Sequence, residues 1–242
     1  MSGHSKWSNI RTKKEKIDNE RAKIFTKLSK EISAAVRNFG SDVESNRKLR
    51  DLIAKAKANN VPNDNIERLI KKASGDVDKK CYEEIIYEGY GPSGVAILVE
   101  TLTDNKNRTV ANLRHYFEKF GGKLATNGCV SFMFSQKGFV CAKKANVSEE
   151  ELMELCIEFE IDDFEHGDEL VEFRFEPFKL LKVVDGLKNS GFEILLAEVR
   201  KIANDFVNLD DVAEIENFEK LAQTLDDDND VQQIWTNLKE SF

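Results

Sequence analysis

The segment "EGYGPSGVAILVE" contains three glycines in the order G-x-G-x-x-G: Gly89, Gly91 and Gly94. This spacing can wrap backbone N–H groups around a phosphate, either at a dinucleotide-binding turn or under the glycine-rich loop of a kinase. A dinucleotide site requires a helix after the last glycine, but the strand-like run Val95–Thr101 follows it. A kinase loop does lie between strands, but Leu98 stands where the phosphate-pairing lysine is needed. We therefore predict a hairpin turn, because glycine adopts positive φ and Pro92 presets its own φ.

Other residues that could do chemistry lack the necessary spacing. The cysteines and histidines are scattered, with no C-x-x-C pair and no zinc-ligand pattern: Cys81, Cys129, Cys141, Cys156, His4, His115 and His166. An acidic run begins at Asp226, but positions six and twelve of a calcium loop would be Val231 and Asn237 instead of Gly and Glu. We interpret this run as a solvated acidic turn. No nucleophile signature is present, so we expect no catalytic residue, metal, cofactor or small-molecule substrate.

The strongest signal is a basic segment at the start of the chain. Residues 1–72 contain 18 Lys and Arg against 9 Asp and Glu, a net charge of +9, while the rest of the chain carries −17. Cations neutralise phosphates, and an aromatic ring can stack on a base. We predict nucleic-acid contacts from the following residues: Lys6, Trp7, Arg11, Lys13, Lys14, Lys16, Arg21, Lys23 and Lys27. The alternative is a solvated tail with Trp7 folded onto the helices that follow.

A polar loop after a predicted strand is a second candidate contact point. It leads into a helix N-terminus, where free N–H groups and the helix dipole favour anions. Its candidate residues are Asn105, Asn107 and Arg108, and the alternative is a capping loop. The predicted third helix also carries polar groups that could enter a major groove: Asn63, Asn65, Arg68 and Lys71. Residues 149–176, with 13 acids and one base, should repel nucleic acid, although a soluble surface explains them too.

Hydrophobic periodicity predicts an α+β protein of three domains. Three helical stripes after a polar arm predict a bundle over residues 1–78. A middle α/β domain is predicted from 79–134 and 204–242, including a strand at Val130–Phe134 and a segment from Val231 that could be strand or helix. Between these parts, 135–203 follow the β-α-β-β-α-β order of a ferredoxin-like domain. No window resembles a membrane span and the first 21 residues contain no apolar run, so we expect a cytoplasmic protein.

Four long stretches resemble the YebC/PmpR family: "GHSKWSNI", "VPNDNIERLIKKASG", "YEEIIYEGYGPSGVAILVETLTDNKNRT" and "DDDNDVQQIW". The resemblance covers nearly the whole chain and departs mildly from the family pattern at Ala22, Lys106, Ala125 and Trp235. It implies the same three domains and no enzymatic activity. Family members are commonly labelled DNA-binding transcriptional regulators. Others look like ribosome-associated factors for stall-prone, proline-rich sequences or mitochondrial translational activators, so the expected partner is DNA or ribosomal RNA.

Overall fold

The computed structural model describes residues 25–75, 81–144, 147–167 and 170–239. Its chain divides into two compact units, one of residues 1–79 with 136–200 and the other of 80–135 with 201–242. The helical N-terminal segment therefore shares a unit with the inserted segment. The division into three domains stays a prediction. None of the helices in the described ranges is long and apolar enough to cross a membrane.

Three helices form the N-terminal bundle. Helix α1 covers 25–39 of the described chain, α2 covers Arg47–Ala58, and α3 covers Asn63–Ser74. Their shared core is apolar and includes Ile32, Leu49 and Ile66. The buried Asn46 joins two of the helices, because its side chain donates to the carbonyls of Ala35 and Gly40 and accepts from Leu49 N–H at the start of α2.

The second part of the same unit has the predicted ferredoxin-like order. Its elements are β4 (Phe134–Lys143), α5 (Glu149–Phe159), β5 (Asp163–His166), β6 (Leu170–Phe175), α6 (Leu180–Asn189) and β7 (Glu193–Ala203). The strand order is β5-β6-β4-β7, which puts the first and third strands of the motif at its centre. Helices α5 and α6 pack together closely, since a Cβ at Gly186 would meet the Phe159 ring at 2.4 Å.

The α2–α3 connection binds the open edge of this sheet. Asn59 donates to the carbonyl of Ala197 at 2.8 Å and accepts from its N–H at 3.0 Å, as a neighbouring strand would. Asn60 donates to the carbonyl of Ile194 at 3.0 Å. Edge strands expose unpaired backbone groups, so these two amides both protect β7 and fix the bundle to it.

The other unit is built around a four-stranded antiparallel sheet. Its strands are β1 (Glu83–Tyr90), β2 (Ala96–Thr103), β3 (Lys123–Leu124) and β8 (Val231–Thr236), and its helices are α4 (Lys106–Lys119) and α7 (Val212–Asp226). The strands lie in the order β3-β1-β2-β8. Apolar residues of both helices pack on one sheet face with strand residues such as Ile97 and Val99. The segment from Val231 is therefore a strand, and it completes the sheet that begins at Glu83.

The predicted strand Val130–Phe134 is wrong. Residues Ser131–Met133 form a short 3₁₀ turn, and the strand after α4 is only Lys123–Leu124. The apolar run that suggested a strand is explained by burial: Val130 is fully buried against the second face of the sheet, near Leu98. A buried loop segment and a short inner strand both appear in a sequence as a short apolar run, so the run alone does not distinguish them.

Candidate nucleic-acid interface

Most of the predicted arm contacts lie outside the described residues: Lys6, Trp7, Arg11, Lys13, Lys14, Lys16, Arg21 and Lys23. Lys27 is described and lies in α1, where it is half-buried. The bundle that follows the arm carries further cations that can be located.

Helix α2 carries exposed cations beside its buried residues. Leu49, Leu52 and Ala56 turn inward. Arg50 and Lys57, which are seven residues apart and so lie on one helix face, are exposed. Arg47 is also exposed, and its Nε lies 3.9 Å from an Asp51 carboxylate oxygen, a long contact between two solvated side chains that contributes little.

Helix α3 carries a tighter cationic group. Arg68, Lys71 and Lys72 are three and four residues apart, so they are neighbours on one helix face, and all three are exposed. The Arg68 guanidinium donates to Asn65 Oδ1 at 2.7 Å, which directs it along the helix surface. Acidic side chains share the outward side, at Asp64 and Glu67. This mixed face fits contacts to a phosphate backbone better than insertion into a groove.

The loop before α4 is engaged in internal contacts. Asn105 is the N-cap of α4, and its side chain accepts from Arg108 N–H. The Arg108 guanidinium donates to Asp230 at 2.7 Å and to Asp104 at 2.9 Å. These hydrogen bonds to Asp230 and Asp104 raise the pKa of Arg108 above its ordinary value. Asn107 is exposed. Asn105 thus caps α4 and Arg108 pairs with carboxylates, while contact of this loop with nucleic acid stays a prediction.

Asp230 shows that the acidic run is not simply a solvated turn. Asp230 is 6% exposed, and its carboxylate accepts from Thr109 at 2.9 Å and Thr103 at 3.1 Å as well as from Arg108. The neighbouring Asp228 accepts from the N–H of Asp230 and from the Tyr116 hydroxyl. Part of the run therefore fastens the start of β8 to the β2–α4 loop. Asp227 in the same run is exposed and accepts from Gln223 at the end of α7.

The glycine-rich segment is the predicted hairpin turn between β1 and β2. Gly94 has a φ of +79°, and Val95 N–H donates to the Pro92 carbonyl. Gly89 serves packing, because a Cβ there would come within 2.6 Å of the Phe117 ring and 2.8 Å of the Lys123 carbonyl. A strand follows the turn, so these glycines explain a tight corner of the fold.

Glu88, immediately before Gly89, is the residue that sequence reasoning missed. It is 5% exposed, and its carboxylate accepts from the backbone N–H groups of Gly128 (2.7 Å), Val130 (2.8 Å) and Ser131 (3.0 Å). Burial raises the pKa of Glu88, but the three backbone hydrogen bonds outweigh burial and hold it below the ordinary value. Glu88 thus fixes the loop in which Phe132 is 73% exposed. An acid at a strand position beside glycines was the available signal.

Charge on the described surface is divided between the bundle and the ferredoxin-like segment. Residues 149–176 carry the 13 acids counted above, and their one base, Arg174, donates to Asp163 and Glu165. Nowhere in the described ranges do three or more His, Cys, Asp or Glu side chains form a group that could hold a metal ion. Phosphate contact is therefore more favourable at α2 and α3 than at the acidic surface.

Known proteins resemble this chain along nearly all its length. A sequence model described as the TACO1/YebC protein N-terminal domain matches residues 5–76, and one described as the TACO1/YebC second and third domain matches 82–238. A probable transcriptional regulatory protein of Acetivibrio thermocellus is 48% identical over 238 residues, covering 98% of each chain. The probable transcriptional regulatory protein ORF2U of Hathewaya histolytica is 50% identical, covering 98% of this chain and 96% of its own.

A solved structure has the same fold. The conserved hypothetical protein Aq1575 of Aquifex aeolicus matches with a TM-score of 0.74 and 40% identity over 92% of both chains. This match confirms the α+β fold class, and the relatives' names describe regulatory proteins. The two family matches span the bundle and both sheets, and the chain belongs to the TACO1/YebC family.

Proposed function

We propose that this protein is a non-enzymatic regulator of gene expression that binds nucleic acid through its basic N-terminal region. The observation that carries the proposal is the exposed cationic face of α3, formed by Arg68, Lys71 and Lys72, in the bundle that follows a basic arm in the sequence. The names of the relatives support a regulatory role. The arrangement supplies positive charge at several points of one compact bundle.

Contacts of this kind position a protein on a phosphate backbone without reading sequence. Long cationic side chains release counterions when they neutralise phosphates, and the affinity they supply is nearly the same for all sequences. Asn63 and Asn65 near the start of α3 could add base contacts. Asp64 and Glu67 beside them oppose deep entry into a groove, because they would lie close to phosphates.

The second candidate function is that of a ribosome-associated translation factor that relieves stalling on difficult sequences, such as proline-rich ones. The mixed outward face of α3 favours it, because a folded RNA surface can be bound from outside through its backbone. Transcriptional regulation is the role that the relatives' names give, and DNA-binding transcriptional regulation remains the first candidate function. The two share the basic surface and differ in the polymer that it binds.

Cosedimentation separates the two functions. A cell lysate is fractionated on a sucrose gradient, untreated or treated with RNase or DNase, and the protein is followed by immunoblot. We expect it to move with ribosomes and to be dispersed by RNase but not by DNase. Sensitivity to DNase, together with tight sequence-selective duplex binding at about 0.15 M salt, would instead establish the DNA-binding function.

A cytoplasmic location and the absence of catalysis belong to the same proposal. The glycine-rich turn offers no lysine at position 98 and no helix after Gly94. We expect calorimetry to detect no micromolar binding of ATP or NAD. Micromolar affinity that disappears in Gly91→Val would contradict this expectation.

A further inference from the structure

The outward side of α5 displays large apolar side chains that the core does not use. Leu152, Leu155 and Phe159 already pack into the core of the ferredoxin-like segment. Met153 and Ile157, one helical turn apart, are 50% and 80% exposed. Single exposed apolar residues are ordinary, but a group of them marks an interaction surface.

A third apolar side chain is held at the end of the same helix. Phe178 is 82% exposed and lies in the short turn Pro177–Lys179. The adjacent Lys179 donates to the Glu160 carbonyl at 3.1 Å and lies 2.7 Å from its carboxylate, which anchors this turn at the C-terminal end of α5. The Phe178 ring is therefore displayed from an anchored turn, so that little backbone freedom remains to be lost on binding.

Unpaired acids surround the exposed apolar residues of α5. Glu150 and Glu154 lie three residues before Met153 and Ile157 on the same helix side, and Glu158 follows. All three are exposed, and within the described residues none of them forms an ion pair. The helix has no basic residue of its own. Lys144 pairs with Glu151 near its start, and Lys179 and Lys182 act on Glu160 at its end. The surface is apolar at its centre and negative at its margin.

We propose that this α5 surface, defined by Met153, Ile157 and Phe178, is a docking site for a basic segment of a partner protein that carries apolar side chains. Complementary charge would steer the segment to the site, and burial of the three apolar side chains would hold it. Nucleic acid does not fit, because the acids would face phosphates. A symmetric pair of copies does not fit either, since it would set the same glutamates against each other.

The test uses the full-length chain and a labelled 18-residue helical peptide of leucine and lysine, followed by fluorescence anisotropy. A leucine–glutamate peptide of the same length is the matched probe. We expect the parent protein to bind the leucine–lysine peptide and not the leucine–glutamate peptide. The double variant Ile157→Gln, Phe178→Gln should bind the leucine–lysine peptide with about tenfold weaker affinity. The charge variant Glu150→Gln, Glu154→Gln, Glu158→Gln should weaken binding and reduce its salt dependence. These side chains are exposed, so both variants should melt as the parent does.

Val212→Gln, which removes an equally exposed apolar side chain from α7, is the control and should bind the peptide like the parent. Equal affinity of the parent and the Ile157/Phe178 variant would overturn the proposal. Analytical ultracentrifugation provides a further check. If the parent forms a dimer and the same variant is a monomer, the proposal is also overturned, because the surface then binds a second copy. Loss of nucleic-acid affinity in that variant would likewise overturn it, whereas the proposed nucleic-acid function would stand.

Discussion

Single buried carboxylates fix two loops beside the sheet that contains β1 and β2. The Glu88 carboxylate accepts three hydrogen bonds from backbone N–H groups, which take the place of water. Hydrogen bonds of this kind stabilise the ionised acid in the folded state. Asp230 has the same role for the β2–α4 loop, with two threonine hydroxyls and Arg108 as its donors. Removing either acceptor leaves buried donors without partners.

Glu88→Gln should lower the free energy of unfolding by about 1–3 kcal/mol, because a side-chain amide cannot accept all three N–H groups. The folded pKa of Glu88 lies below its ordinary value, so its stabilisation is present above that value and is lost as pH falls through the folded pKa. The variant should therefore lose less stability on acidification than the parent does. Urea unfolding at neutral and acidic pH measures both effects.

Glu83→Gln, on the same strand but exposed, is the matched control and should unfold like the parent. If Glu88→Gln and the parent lose stability equally on acidification, the carboxylate is not a source of the pH dependence.

At the same scale, the roles of the glycines could be predicted from the sequence and those of the acids could not. Glycine spacing and Pro92 describe a turn made by neighbours in the chain. The partners of Glu88 begin 40 residues away, and the partners of Asp230 more than 120 residues away. No local pattern encodes such pairs, which is why the sequence alone predicts a solvated acid at Asp230.

At the scale of elements, the α2–α3 connection acts as an additional strand for β7. Asn59 is 7% exposed and makes both a donor and an acceptor contact with Ala197. Periodicity predicted the helices and most strands, because each follows from its own apolar face. It did not predict that the bundle binds a sheet edge, since this contact depends on two amide side chains in a turn. The short β3 was missed for a similar reason, as two residues carry no period.

Asn59→Ala should lower the free energy of unfolding by about 1–3 kcal/mol, because the Ala197 N–H and carbonyl lose their partners in a buried position. The Ala197 amide should also exchange its hydrogen faster. Thermal unfolding and hydrogen exchange read by mass spectrometry provide the two measurements. Asn63→Ala, at the exposed start of α3, serves as the control, and an unchanged exchange rate in Asn59→Ala would show that the edge is protected by other groups.

The whole molecule is organised by charge. Its net charge of −8 conceals a region of +9 followed by one of −17. We infer two recognition surfaces of opposite sign, with nucleic acid at the bundle and arm and a basic protein segment at α5. The acidic remainder also lowers non-specific attachment to polyanions, because only the N-terminal region attracts them.

The salt dependence of nucleic-acid affinity tests the central claim most directly. If about six phosphates are neutralised, log Kobs against log salt should have a slope of about −4 for single-stranded RNA or about −5 for duplex DNA. Two triple alanine variants, one of the arm and one of α3, should each flatten the slope by about 2 for RNA: Lys13, Lys14 and Lys16, or Arg68, Lys71 and Lys72.

A third triple alanine variant is the control and should leave the slope unchanged. It replaces three exposed lysines outside the basic region: Lys182, Lys188 and Lys220. We expect the arm and α3 variants to weaken binding to all nucleic-acid sequences alike, because they remove contacts to the phosphate backbone and none to the bases. Slopes of the arm and α3 variants that equal the parent's would contradict the claim that nucleic acid binds through the N-terminal region.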